Sequence, residues 1–508
     1  VSTLTIFASP APAETAPASG DVAVTDAFRT TRTAAPTAGT ATPPAAPAAP
    51  DSAVSPAAAV PVTRVPEDRR IPAVLGADLE VPVRGGRSAP YANLDYAASA
   101  PCLEPVSAAV AAALPAYSSV HRGAGYASRL TTARYERARH TVRAFAGARP
   151  DDAVVFTRNT TDATNLLARC LPEGTTVVVF DTEHHASLLP WRRTVRLAPP
   201  AFPGEAVRAA DRVLAEIEGP KLLVVTAASN VTGELWPIAA LAHIAHRHGA
   251  RVLVDAAQLV PHRPINLTAL DLDYVVFSGH KLYAPFGTGA LIGRPDWLSG
   301  AEPYLRGGGA VRAVNVPRTG EADGWEVDWH DDPEARHEAG TPNVLGAVAL
   351  AAACDALTAT GWTALIHEEE RLLARLRAGL AGIEGVCELS LWDPAHPRVG
   401  IVSFTVAGRT AREVAEILSA EYGIGVRDGK FCAHPFVRHL LDAHRSEAHL
   451  QDTHHPDGHV QDANRQDTAD GGCDDGTASA VRASIGIGTT DEHVDRLVSA
   501  LREIAARR

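Results

Sequence analysis

Tyr274-Val275-Val276-Phe277-Ser278-Gly279-His280-Lys281 runs from an unbroken apolar stretch into a polar turn that ends on a lysine. Four apolar residues closed by Ser-Gly read as a buried strand and a tight turn. The lysine is one of three in 508 residues, and arginine supplies almost all the remaining basic charge. Arginine stays protonated and cannot form an imine, whereas a desolvated lysine can lose its proton and attack an aldehyde. Lys281 is therefore a candidate for Schiff-base chemistry, set against the plainer role of a snorkelling surface lysine.

Upstream, Arg251-Val252-Leu253-Val254-Asp255-Ala256-Ala257-Gln258 reads as a second buried strand ending in a carboxylate. Ligands of α/β sheets gather at such strand ends. A pyridoxal phosphate (PLP) enzyme needs a lysine for the aldehyde and a carboxylate to keep the pyridine nitrogen protonated. Asp255 and Lys281 make that pair, although an Asp after a strand also serves as a helix cap. Ala153-Val154-Val155-Phe156 followed by Thr157-Arg158-Asn159-Thr160-Thr161-Asp162 reads as strand, polar turn and helix start. Free N–H groups and Thr hydroxyls there suit a phosphate, and they suit ordinary N-capping as well.

Further apolar runs at Val177–Phe180 and Leu222–Val225, separated by helical stretches such as Ile238 to His248, extend the alternation. The pattern predicts an α/β fold with a mostly parallel sheet wrapped by helices. Its expected extent is 116–343, after a lead-in and first helix over 61–115. From 344 to 508 we expect a smaller α+β domain, opened by a long Ala/Leu-rich helix over Val344 to Thr358. The first 60 residues, rich in Ala and Pro with almost no aromatics, are expected to form a disordered tail.

Leu94-Asp95-Tyr96-Ala97-Ala98, His121-Arg122-Gly123, Glu183-His184-His185, Ser229-Asn230-Val231-Thr232-Gly233 and Glu338-Ala339-Gly340-Thr341-Pro342-Asn343 complete an ordered series with the stretches above. Together they resemble the class V aminotransferase family of PLP enzymes, and within it the SufS-type branch of cysteine desulfurases and selenocysteine lyases. The resemblance runs from about Tyr91 to the C-terminus. It implies the fold type I PLP-dependent transferase architecture, with a seven-stranded type of sheet.

The resemblance also implies roles. Lys281 holds the cofactor as an imine, His184 stacks on its ring, and Asp255 pairs with the pyridine nitrogen. Asn230 and Gln258 contact the ring hydroxyl, while Thr160, Thr161, Ser278 and His280 serve the phosphate. Thr341 reaches the phosphate of a partner subunit, which implies a homodimer. Arg482, in Ala480-Val481-Arg482-Ala483-Ser484, grips the substrate's carboxylate, with Arg427 a second candidate and His121 a third substrate-side residue. A guanidinium fork matches a carboxylate bidentately.

Cys432, in Lys430-Phe431-Cys432-Ala433-His434-Pro435, stands where the family carries its sulfur-accepting thiol. Such a thiolate attacks the substrate sulfur, leaving an enzyme persulfide and alanine, with Lys430 favouring the charged form. A sulfur-acceptor protein is then an expected partner. The chain departs from the usual pattern at Asp428-Gly429-Lys430-Phe431, where the family reads Thr-Gly-His-His, and at Gly125, where it carries histidine. Both positions border the substrate, so an aminotransferase or C–S lyase of a specialised pathway stays open as an alternative.

Composition sets outer limits. With 46% hydrophobic and 21% charged residues and a net charge of −12, the chain reads as a cytoplasmic enzyme without an electrostatic case for nucleic acid. No apolar run reaches the roughly 20 residues of a membrane span. Six scattered cysteines form neither a zinc motif nor a disulfide framework. Within 443–478, five pentapeptides from Ala443 to Asp467 each end in a carboxylate, and four carry His at the second position. A period of five stacks ligands on neither a helix face nor a strand, so a disordered surface insert is expected rather than a metal site. A metal-binding protein on an enzyme scaffold is the remaining, non-catalytic alternative.

Overall fold

The computed structural model describes residues 71–315, 325–452 and 478–507. The Ala/Pro-rich stretch over 1–60 and the last three repeat units lie outside the described residues. Seven strands form the central sheet: β1 (Ala153–Thr157), β2 (Thr176–Phe180), β3 (Thr194–Leu197), β4 (Lys221–Thr226), β5 (Arg251–Asp255), β6 (Tyr274–Ser278) and β7 (Gly289–Gly293). Their order is β1-β7-β6-β5-β4-β2-β3. Only β7 runs antiparallel, inserted between β1 and β6; the remaining pairings are parallel.

Because side chains alternate across a strand, each apolar run feeds two cores. Val178 and Phe180 join Leu223, Val225, Val254 and Phe277 on one face. Val177 and Val179 join Leu222, Val224, Leu253 and Val276 on the other. The first face is covered by helices Pro203–Glu216 and Ile238–Arg247, and the second by α1 (Thr160–Cys170). The inner strands carry no polar stripe because both of their faces are dry, whereas the edge strand β3 exposes Thr194 and Arg196.

The Ala/Leu-rich helix α2 spans Val344–Thr360. Expected to open the small domain, it instead buries Leu350, Ala353, Cys354 and Leu357 in the first sheet core. Its small side chains all round let it lie flush against helices on both sides. At Gly361, with φ +89°, the chain bends 85° into the helix Trp362–Ala381. Among the described residues no single helix is long and apolar enough to cross a membrane.

The smaller sheet is wholly antiparallel, in the order β8 (Val386–Leu389), β9 (Ile401–Val406), β11 (Ala480–Ser484) and β10 (Arg427–Gly429). Helices Trp362–Ala381, Ala411–Tyr422 and Asp491–Ala506 cover it. The N-terminal lead-in is sewn into this domain: Ala92 and Leu94 share its core, and Ala92–Asn93 pairs in parallel with Ile424–Gly425. Helix α3 (His434–Asp452) starts directly after the Cys432 loop and continues through the first two pentapeptides. There the expectation of an irregular loop is corrected. Ala, Glu, Leu and Gln are helix formers, and no Gly or Pro intervenes before Pro456.

Candidate active site

The parallel strands β1, β4, β5 and β6 end on one side of the sheet, and a cleft of ≈ 400 Å³ opens there. This is where open α/β sheets hold ligands, and the volume suits a small organic cofactor with a substrate. After β6 the chain doubles back: the Gly279 N–H donates to the Thr288 carbonyl at 2.7 Å. A Cβ on Gly279 would lie 2.7 Å from that same oxygen, so glycine is required for this close approach. The turn delivers Lys281 to the cleft wall. The His280 carbonyl is pinned by the Ala100 N–H at 2.8 Å.

Burial pulls the Lys281 ammonium down to about 8, with Arg482 pushing the same way and Asp255 and Cys432 opposing. About a tenth of the amine is therefore uncharged at pH 7, far more than for an ordinary lysine. Asp255, at the end of β5, is buried. Its Oδ2 accepts from Ser187 Oγ at 2.7 Å and its Oδ1 from the Ala257 N–H at 3.0 Å. These bonds fix the plane of the carboxyl group.

His184 offers a flat ring. Its Nδ1 accepts from the Ala186 N–H at 3.0 Å, which leaves the proton on Nε2. Burial, with Lys281, His185 and Arg482 nearby, lowers it to about 3, and burial beside Lys281 lowers His280 to about 4. Both imidazoles are neutral at physiological pH. At the start of α1, Asn159 Oδ1 caps the Asp162 N–H at 3.0 Å. Ser278 Oγ accepts the Thr160 N–H at 2.8 Å and lies 2.7 Å from Thr160 Oγ1. Thr161 is exposed on the cleft. Hydroxyls clustered at a helix start suit a phosphate.

Gln258 gives an independent sign of what the cleft is shaped to hold. Its Nε2 donates to the Ala97 carbonyl at 2.8 Å, but its Oε1 is buried without a partner. A hydroxyl on a bound ring would supply the absent donor. Thus the residues present fit a flat, phosphorylated, hydroxyl-bearing aldehyde.

Arg482, on β11, is buried and held by three neighbours. Nη1 donates to the Asn230 carbonyl at 2.9 Å, Nη2 to Asp95 Oδ1 at 3.3 Å, and the guanidinium carbon lies 5.0 Å from the Phe431 ring centre. Arg427 sits opposite it in the β10–β11 register and lines the same cleft. Cys432 is exposed on that cleft. It and Phe431 hold φ of +53° and +51°, left-handed conformations that side chains adopt at a cost of about 1–2 kcal/mol each. Surrounding bonds hold them there: Asn230 Nδ2 donates to the Phe431 carbonyl at 2.8 Å, and Phe431 itself is buried.

The family model for class V aminotransferases matches residues 92–497. The chain belongs to the class V aminotransferase family. Within this family it is similar to a cysteine desulfurase of Dickeya dadantii, 33% identical over 457 residues, covering 87% of this chain and 98% of the relative. A cysteine desulfurase of Klebsiella pneumoniae is 36% identical over 379 residues, covering 71% and 89%. Among solved structures, the apo cysteine desulfurase of Thermococcus onnurineus NA1 superposes with a TM-score of 0.68 at 28% identity, over 82% of this chain and 95% of that one. The Escherichia coli cysteine desulfurase CsdA, in its S-sulfonic acid form, gives 0.63 at 30% identity with the same coverage.

In this class V family member the cleft gathers Lys281, His184, Thr160, Thr161, Asn230, Asp255, Gln258, Ser278, His280, Arg427, Cys432 and Arg482. Three expected residues stand elsewhere. His121 is exposed and bonded through Nε2 to Glu136 Oε1 at 2.8 Å. Thr341 is exposed on the loop before α2, and Lys430 does not line the cleft. No cluster of metal-ligating side chains occurs among the described residues. Sequence reasoning gave Ser187 and Asp95 no role. Asp95 lay within a quoted motif, but its partner is 387 residues away. Ser187 carried no local signal at all.

Proposed function

We propose that this class V family member is a PLP-dependent cysteine desulfurase, acting on a small amino acid and passing its sulfur to Cys432. One observation carries the reading: an exposed thiol shares a single cleft with a partly deprotonated lysine and a buried arginine. The desulfurase relatives on both comparisons support it.

Bound PLP supplies an electron sink that makes protons and leaving groups near the substrate's amine labile. Lys281 would hold it and, once freed, move a proton at the substrate's α-carbon. Asp255, held in orientation by Ser187 and the Ala257 N–H, would pair with the ring nitrogen. Neutral His184 would cover the ring face and exclude water. Thr160, Thr161, Ser278 and His280 would hold the phosphate, and Asn230 with Gln258 the ring hydroxyl. Arg482 would orient the substrate's carboxylate with Arg427 beside it. The Cys432 thiolate would attack the substrate's sulfur: a sulfur–sulfur bond forms, the carbon–sulfur bond breaks, and the carbon takes a proton to end as alanine.

The exposed position of Thr341 outside its own cleft fits a homodimer in which it completes the partner's phosphate site. The exposed thiol likewise fits delivery to a sulfur-acceptor protein. The deciding experiment measures alanine and sulfide from L-cysteine with a reductant, comparing PLP-loaded protein with Cys432→Ala. Equal alanine and sulfide, lost in the variant, are expected. PLP binding without either product would instead support an aminotransferase.

A further inference from the structure

Asp95 has no part in the roles above, yet it is the carboxylate that meets Arg482. Its backbone is fixed: Asp95 bridges to Ser484, and its N–H donates to Asn93 Oδ1 at 3.0 Å. The side chain is therefore presented beside β11 by the main-chain bridge to Ser484 and by the Asn93 side chain. Burial raises the Asp95 carboxyl, while Arg482 and then Arg427 pull it back down.

The way the guanidinium is filled matters. Nη1 is committed to the Asn230 carbonyl, and Nη2 meets Asp95 through one bond of 3.3 Å. Nε is buried without any partner. A carboxylate that engages the Nε–Nη2 edge makes two parallel bonds of about 2.7–2.9 Å. Asp95 thus neutralises Arg482 without saturating it, leaving a donor that an incoming carboxylate can claim.

Resting on the reading of Arg482 as the substrate's carboxylate grip, we infer that Asp95 is a specificity-determining residue that competes with that carboxylate. In the empty site it holds Arg482 in place; when an α-amino acid binds, it yields Nη2 and turns toward Arg427. An amine without a carboxylate has no claim on this edge. Competition of this kind weakens binding of substrate and product alike, which shortens the stay of alanine.

The test titrates PLP-loaded full-length wild-type, Asp95→Asn and Asp95→Ser proteins with L-alanine and with ethylamine, reading the cofactor's absorption band. Asn keeps an acceptor for Nη2 and removes the charge; Ser serves if the Asn variant does not fold. We expect L-alanine to bind about five-fold more tightly to the variants, with ethylamine unchanged and KM for L-cysteine falling in parallel. Unchanged or weaker L-alanine binding by folded, PLP-loaded variants would overturn the competitor role and leave the desulfurase reading intact. A wild-type band that responds to neither L-alanine nor L-cysteine would overturn both.

Discussion

The His185 N–H donates to the Cys432 carbonyl at 2.8 Å, so the residue after His184 and the exposed thiol share one hydrogen-bonded frame. Asn230 extends that frame from below through the Phe431 carbonyl. Replacing Asn230 with Ala leaves a buried carbonyl unpaired, which costs about 1–3 kcal/mol. We expect a lower melting temperature and faster alkylation of Cys432 by iodoacetamide, since two residues with positive φ lose an anchor. A Cys432 alkylation rate equal to wild type would show that the loop is held by other means.

In the proposed reaction Cys432 takes the sulfur and has no part in anchoring the cofactor. Cys432→Ala is therefore expected to keep the wild-type absorption band and to lose sulfide release by at least about 100-fold. Loss of the band along with activity would mean that the thiol supports the cofactor site structurally.

Lys281 has a pH signature. An amine attacks only when neutral, and burial brings this one down to about 8, well below an ordinary lysine. The rate at which apo-protein acquires PLP should rise about tenfold per pH unit below 8 and level off above it. His184 and His280, lowered to about 3 and about 4, stay neutral throughout and add no step between pH 6 and 9. A midpoint near 10 in stopped-flow loading would contradict the buried-amine argument, and Lys281→Ala should form no such band.

Ser187 was found only in three dimensions. Its hydroxyl donates to Asp255 Oδ2, and a bond to a charged, buried acceptor contributes about 1.5–3 kcal/mol. Ser187→Ala should lose PLP about ten-fold faster on dialysis, measured by residual absorbance. An unchanged loss rate would show that the Ala257 N–H alone holds the carboxylate.

Arg482→Lys keeps the charge and removes the fork. We expect KM for L-cysteine to rise by roughly 10- to 100-fold, with a smaller change in kcat, because a carboxylate grip acts in ground and transition states alike. A fall in kcat alone would assign Arg482 to the reaction step instead.

Much of this protein is determined by the order of its residues alone. The strand runs ending at Phe156, Asp255 and Ser278, and the turns carrying Thr160, Thr161 and Lys281, could be read locally, because strand burial, glycine turns and helix starts depend on near neighbours. Long-range closure decided the rest. The alignment of Arg482 with Asp95, the tie from Asn230 to Phe431 and the support of Asp255 by Ser187 join positions 387, 201 and 68 residues apart. No local pattern encodes those distances. Likewise the placement of α2 in the large core, and of Ala92 and Leu94 in the small one, depended on which faces were left to bury. Sequence named the chemical groups; packing chose their partners, because hydrogen-bond pairing and charge compensation are fixed only once the two sheets and the lead-in meet around the cleft.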